Sequence, residues 1–437
     1  MMMKPSRGKL PLSIIATVIC VFAFIAVLYT EDAGSLSYYS SVIKLKSCTK
    51  QEPVATSHHD QSRNVEKRAL PVIEDNTDDD LDVVGEKEEF DPNKCSVFKG
   101  KWVFNRSAKP LYSDRTCPYL DKQVSCVKNG RLDSDYRYWE WQPDECNLPR
   151  FNPEVVLEKL RGKRLMFVGD SLQRGQWQSF VCLVESRIPE GQKSMRRGRS
   201  HSVFRAKEYN ASIEFYWAPF LVESNSDLRI KPDPNDRILK VDSVDKHAKN
   251  WVGPDILVFN TYVWWMSGLK IKSLWGSFAN GEEGFEELEA PIAYRIALKT
   301  WANWVDSYID PNKTRVFFTT ASPTHMRSSD WNNKKGIRCY NETRPILQKG
   351  YWGSGSDRRM MGVVRSIVER MKIPVSFINI TQISEHRVDG HTSVYTEYQG
   401  KLLTDEEKTD PKKYADCIHW CLPGVPDTWN QLFYAYL

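Results

Sequence analysis

The sequence has none of the usual marks of a zinc or nucleic-acid protein. None of its ten cysteines forms a Cys-x-x-Cys pair, and no Cys/His cluster has metal-ligand spacing. The net charge of +5 comes without an arginine-rich recognition motif. These absences argue against a metal centre and against nucleic acid as a partner. No segment recurs at the period of a solenoid. Tryptophan is missing from the first 94 residues, since all fifteen lie after Cys95. Residues 30–94 also lack aromatic and aliphatic periodicity after Tyr39 and carry an acidic run from Glu74 to Glu89. Such a stretch cannot bury enough apolar surface to fold and reads as a disordered stem.

One apolar run stands out. Leu10–Tyr29 is 20 residues without a charge, about the length that crosses a bilayer. Lys4, Arg7 and Lys9 precede it, and Glu31 and Asp32 follow. The positive-inside rule then puts residues 1–9 in the cytosol and everything after 29 in a lumen. A cleaved signal peptide is the alternative, but no clean small-x-small site follows the run. Residues 1–94 carry 11 basic and 15 acidic side chains, and residues 95–437 carry 50 and 41. The folded part is therefore mildly basic, which suits an anionic partner.

Cysteine usage agrees with a luminal domain. Cys20 lies in the anchor and Cys48 in the stem. The other eight form an even set, which reads as four disulfides in an oxidising compartment. Asn105, Asn210, Asn312, Asn341 and Asn379 each open an Asn-x-Ser/Thr sequon, the acceptor for N-glycosylation.

From Cys95 to about residue 150 the chain is rich in cysteine and aromatics and reads as a small disulfide-stapled lobe. Beyond it, strands and helices alternate. Strands are expected at Arg164–Val168, Asp255–Asn260, Arg315–Thr320 and Pro374–Ile380. Helices are expected at Ser171–Val184, Pro291–Ile309 and Asp357–Met371. Alternating βα units predict an α/β fold: a parallel sheet with helices on both faces. Ligands of such sheets bind beyond the carboxyl ends of the strands.

Gly169-Asp170-Ser171 falls where a strand meets a helix. Glycine permits a sharp turn, and the serine hydroxyl then stands at the carboxyl end of the sheet. The helix start adds N–H groups and partial positive charge for an oxyanion. By itself the tripeptide reads equally as a helix N-cap. Asp416 and His419, three apart near the C-terminus, can share a face so that the carboxylate orients the imidazole. Alone they are a surface turn, but Cys417 and Cys421 would pin the segment. Together these halves make a catalytic triad of Ser171, His419 and Asp416. Their order is that of SGNH/GDSL esterases. Asn260, at a strand end beside Ser171, is a candidate oxyanion donor or a simple turn residue. Arg174, one turn after Ser171, and Trp177, Trp264 and Trp265 are candidate substrate contacts, since indole faces pack on sugar rings. His325 reads as structural. Lys193–Arg205 reads as a basic loop that is either solvated or leans over an acidic polymer.

Longer motifs give a specific resemblance. They are Cys95–Val97 with Lys101–Val103, Tyr112–Leu120 (YSDRTCPYL) and Asn129–Trp141 (NGRLDSDYRYWEW). Arg161–Cys182 (RGKRLMFVGDSLQRGQWQSFVC) and Asp416–Pro423 (DCIHWCLP), with Asp427 and Trp429, complete the set. The chain from Cys95 to its end resembles the plant trichome-birefringence-like family of polysaccharide O-acetyltransferases, and most of all the members that act on xylan. The resemblance implies an SGNH-like major lobe, a smaller lobe and a groove between them. It also implies the disulfides Cys95–Cys146, Cys117–Cys182, Cys126–Cys421 and Cys339–Cys417. The implied activity is transfer of acetyl through an acetyl-serine to O-2 or O-3 of xylosyl residues. No cofactor is bound. The donor is acetyl-CoA or an upstream carrier such as an acetyl-donating membrane protein, and the place is the Golgi membrane. An acetyl esterase with the same triad and a non-catalytic wall-polysaccharide binding protein stay open.

Overall fold

The computed structural model describes residues 90–91, 94–275 and 284–437. The expected membrane span at 10–29, the stem up to residue 89, Cys20 and Cys48 lie outside the described residues. Among the described residues no helix is long and apolar enough to cross a membrane.

An antiparallel pair, β1 (Gly100–Phe104) and β2 (Trp139–Pro143), opens the fold. The main sheet contains β3 (Arg164–Gly169), β4 (Lys193–Arg196), β5 (His201–Ala206), β6 (Ala211–Trp217), β7 (Ile256–Phe259), β8 (Arg315–Thr319) and β9 (Val375–Ile378). Their order across the sheet is β9-β8-β7-β3-β6-β5-β4. The first five run parallel, whereas at one edge β5 pairs antiparallel with β6 and β4 antiparallel with β5. The expected all-parallel sheet is thus corrected to a mixed one. The basic stretch Lys193–Arg205 is not a loop but the β4–β5 hairpin of that edge. β6 and a second, four-stranded sheet (Glu223–Ser224, Ile238–Lys240, Lys270–Leu274, Phe285–Glu289) were not anticipated.

The central strand explains why its sequence is an unbroken apolar run. Along β3, Met166 and Val168 enter one core while Leu165 and Phe167 enter the other, and all four are fully buried. Side chains alternate across a strand, so a strand covered on both faces needs apolar residues at every position. Each such burial contributes ~1.5–3 kcal/mol. α1 (Pro153–Lys159) leads into β3, and α2 (Ser171–Glu185) follows it. α3 (Ala290–Tyr308) and α4 (Arg358–Val368) cover one face with Trp301, Trp304, Met360 and Val364. α2 and the last helix, α5 (Val425–Tyr434), cover the other with Trp177, Phe180, Trp429 and Phe433. Asp170 caps α2 and Asp357 caps α4, each accepting a first-turn N–H.

Among the described residues four disulfides join the four pairs named above. Only Cys95–Cys146 is internal to the amino-terminal part. Cys117–Cys182 and Cys126–Cys421 tie that part to α2 and to the C-terminal segment. Residues 95–150 are therefore a layer of the main structure: Val97, Trp102 and Trp141 belong to the same core as Trp177 and Phe433.

Candidate active site

The parallel strands β3 and β7 end side by side, and Gly169 makes this possible. A Cβ there would lie 2.5 Å from the Asn260 carbonyl oxygen. The glycine is required for close approach of two backbones rather than for an unusual turn conformation. Asp170 follows as N-cap and Ser171 begins α2, so its hydroxyl stands at the carboxyl edge of the sheet.

The second half arrives from the C-terminus. β10 (His391–Ser393) pairs with β11 (Asp416–Trp420). The segment is pinned by Cys339–Cys417 on one side and Cys126–Cys421 on the other. Asp416 Oδ1 accepts the backbone N–H groups of Ile418 and His419, each at 3.0 Å. Asp416 Oδ2 accepts from His419 Nδ1 at 2.7 Å. His419 Nε2 lies 2.7 Å from Ser171 Oγ. With Nδ1 protonated towards the carboxylate, Nε2 has a lone pair for the serine proton. Burial would raise the Asp416 carboxyl, but His419 and the two N–H groups outweigh it and hold the acid well below the usual range. It therefore stays an anion behind the imidazole.

Asp170 shows the opposite balance. Burial pushes its carboxyl up to about 6 against the N–H groups of Leu172 and Gln173. One of its oxygens is buried with no hydrogen-bond partner among the described residues. Leu172 N–H bonds the Asp170 side chain and Arg174 N–H its carbonyl. The Ser171 N–H is then the first-turn donor that remains for an acyl oxygen.

Several expected contacts lie elsewhere. Asn260 is buried, and its amide donates to the carbonyls of Thr319 (2.9 Å) and Thr320 (3.1 Å). Both N–H bonds are committed to joining β7 to β8, so it is not an oxyanion donor. Trp177 is 1% exposed, bonds Ile213 O and stacks on Phe215 beneath the sheet. Trp265 is fully buried and bonds Thr261 Oγ1. Neither can touch substrate. Trp264 is half-buried at the sheet edge, but the Arg237 guanidinium covers its ring at 4.1 Å, so it is not an open sugar platform. His325 is buried, with its ring nitrogens 2.6 Å from His391 Nε2 and 2.9 Å from Glu385 O, and does not reach the site.

Arg174 does face the site, in a cluster that the sequence did not disclose. Its Nη2 donates to Gln123 Oε1 at 3.0 Å, and Gln123 Nε2 sits 3.3 Å from His419 Nδ1. Asp121 lies 3.6 Å from Arg174 Nε and 2.6 Å from Arg197 Nη1. Gln123 and His419 are 296 residues apart, and no local pattern signals such a contact. Among the sequons, Asn210, Asn312 and Asn341 are exposed, whereas Asn105 and Asn379 are half-buried. The Asn105 amide is also bonded to Glu140. A cavity of about 720 Å³ opens at the opposite, amino-terminal edge of the strands, beside Lys163, Asp255 and Arg315, and contains none of the triad.

Comparison with known proteins fits this geometry. Residues 148–436 match the model of the GDSL/SGNH-like acyl-esterase family found in Pmr5 and Cas1p, and residues 93–147 match the PMR5 N-terminal domain. Protein trichome birefringence-like 3 of Arabidopsis thaliana is 58% identical, over 99% of each chain. Probable xylan O-acetyltransferase 8 of Oryza sativa subsp. japonica is 55% identical, over 100% of this chain and 99% of its own. Xylan O-acetyltransferase 6 of the same rice is 50% identical over 79% of this chain and 62% of its own. The chain belongs to the GDSL/SGNH-like acyl-esterase family found in Pmr5 and Cas1p, alongside trichome birefringence-like proteins and xylan O-acetyltransferases.

Proposed function

We propose that the chain is a polysaccharide O-acetyltransferase acting on xylan, with Ser171 as nucleophile, His419 as general base and acid, and Asp416 as the orienting anion. The observation that carries this is the unbroken hydrogen-bonded line from Ser171 Oγ through His419 to Asp416, in a chain whose relatives are named xylan O-acetyltransferases.

His419 Nε2 takes the Ser171 proton as Oγ attacks the acetyl carbonyl carbon. The negative oxygen of the tetrahedral intermediate rests on the Ser171 N–H. The intermediate collapses, His419 protonates the departing donor group, and acetyl-Ser171 remains. A xylosyl O-2 or O-3 hydroxyl then occupies the vacated position and loses its proton to His419. It attacks the acyl carbon, and Ser171 leaves with the proton from His419. The donor in this reading is acetyl-CoA or an upstream carrier, such as an acetyl-donating membrane protein. Residues 10–29 anchor the enzyme in the Golgi membrane with this site in the lumen. Asn210, Asn312 and Asn341 are the sequons best exposed to carry glycans there.

The test uses the full-length chain from a secretory host, an acetyl donor and xylo-oligosaccharides, read by mass spectrometry. Acetylated oligosaccharide and an acetyl-Ser171 peptide are expected. Ser171→Ala should reduce transfer by roughly 10⁴-fold or more at unchanged melting temperature. Release of acetate from acetylated xylan without any transfer would make the protein an esterase instead.

A further inference from the structure

Arg237 is a cation with no counter-charge among the described residues. Its guanidinium lies 4.1 Å above the Trp264 ring, and it donates to Lys231 O at 3.2 Å and Ser267 Oγ at 3.2 Å. Among the described residues no carboxylate pairs with it. Asp233 is the acidic residue that acts on it, from beyond ion-pair distance. Burial accordingly depresses its pKa. Arginines held half-buried in this way usually find a carboxylate or phosphate, because the fork of N–H donors matches such groups and partial desolvation strengthens the bond.

Its place connects it to the nucleophile by two routes. Trp217, at the end of β6, is paired in register with Gly169, two residues before Ser171. Trp264 packs edge-on against Trp217 at 5.5 Å. Independently, Trp264 lies four residues beyond Asn260, whose carbonyl abuts Gly169. The unpaired guanidinium therefore stands on the same carboxyl edge of the sheet as Ser171, on the β6 side. The other arginines near the triad are already engaged: Arg174 with Gln123 and Asp121, Arg197 with Asp121 and Tyr119 O.

We propose that Arg237, backed by Trp264, is an acceptor subsite for a carboxylate carried by the polysaccharide, a hexuronic acid residue near the sugar that receives the acetyl group. This rests on the transferase reading above. The guanidinium would donate to the carboxylate, Trp264 would hold the fork in place, and an acidic substituent would set which stretch of the chain lies across Ser171. The site acts on positioning and takes no part in the chemistry.

The experiment compares two xylo-oligosaccharides, one neutral and one bearing a hexuronic acid substituent, as acceptors for the full-length enzyme. Their binding to Ser171→Ala enzyme is measured alongside by calorimetry. The wild type should show a KM and a dissociation constant roughly tenfold lower for the acidic acceptor, the size of one charge-assisted hydrogen bond. Arg237→Gln should erase that difference by raising the KM and the dissociation constant of the acidic acceptor roughly tenfold, and Arg237→Lys should keep part of it. Equal binding of the two oligosaccharides by the wild type overturns the subsite. So does an Arg237→Gln defect equal for both, or one confined to the KM of acetyl-CoA, which would place an anionic donor there. Transfer to the neutral acceptor with no acidic preference leaves the transferase reading standing and removes only the subsite. Acid-selective binding without transfer does the reverse.

Discussion

At the residue scale the triad depends on what surrounds His419 as much as on its members. Gln123 rests against the ring but cannot donate to Nδ1, whose proton is committed to Asp416. Arg174 fixes which end of the amide faces the imidazole. Charged or titratable groups reach His419 from three elements: Asp416 on its own strand, Asp170 from the start of α2 and His391 from β10. The amide thus acts as a wedge that holds the ring in line with Asp416 and Ser171. Gln123→Leu should lower kcat roughly tenfold through a looser ring while leaving the acceptor KM nearly unchanged. A kcat equal to that of the wild type would show that Asp416 alone orients the imidazole. The triad was legible in the sequence because each half is a short string whose residues stay together in space. Asn260 and Trp177 were not placed correctly, because sequence reveals that a residue is near a strand end or on a helix but not which face it presents. Gln123 and Arg237 carry no local signal: each gains its position from distant chain.

At the element scale, the strands that the sequence concealed contain a buried ion network. Glu214 on β6 accepts from Arg164 on β3 at 2.8 Å and from His201 on β5 at 2.7 Å, with Ser212 also donating. One carboxylate thus joins three neighbouring strands. Burial would raise it, but the bonds from His201, Arg164 and Ser212 pull it down to about 2 from 4.5. A depressed acid contributes stability above its unfolded pKa and loses it as pH falls through the folded one. Its contribution should be complete above about pH 5 and disappear between 4.5 and about 2. Glu214→Gln should cost about 1–3 kcal/mol at neutral pH, moderated because Arg164 can turn to water. Urea titrations of the two proteins should converge as pH falls through that window; a constant gap would mean the loss is steric. β6 escaped the sequence reading because Glu214 interrupts its apolar pattern. The β4–β5 hairpin escaped because its arginines look solvated, although Val203 and Phe204 are buried beneath them. The helices at 171, 291 and 357 were legible because a cap or a proline marks each start.

At the scale of the whole molecule, the boundary between the two family models at residues 147 and 148 does not divide the structure. Trp102 donates to Ile383 O at 2.9 Å, and Arg387 lies over the same indole while donating to Tyr136 O. Tyr112 donates to Asp427 at 2.7 Å, and Arg131 to the carbonyls of Asp389 and His391. Leu422 N–H bonds Val124 O beside the Cys126–Cys421 bridge. The amino-terminal part thus buttresses the segment that carries His419, and it delivers Gln123 to it. Removing residues 93–147 would delete Cys95–Cys146 and break the two disulfides that tie this part to the rest, each of these two contributing roughly 2–5 kcal/mol, and would uncover the core that Val97, Trp102 and Trp141 share with Trp429. Domains are stable by only about 5–15 kcal/mol, so the loss of the two bridges is of the same order as the whole stability, and the uncovered core adds to it. Residues 148–437 expressed alone should aggregate or lack a cooperative melt, whereas residues 90–437 should unfold in one transition. If 148–437 instead melts cooperatively and keeps its acetyl-Ser171 intermediate, the amino-terminal part is an appendage, and neither Gln123 nor the Cys126–Cys421 bridge is needed to set His419 against Ser171.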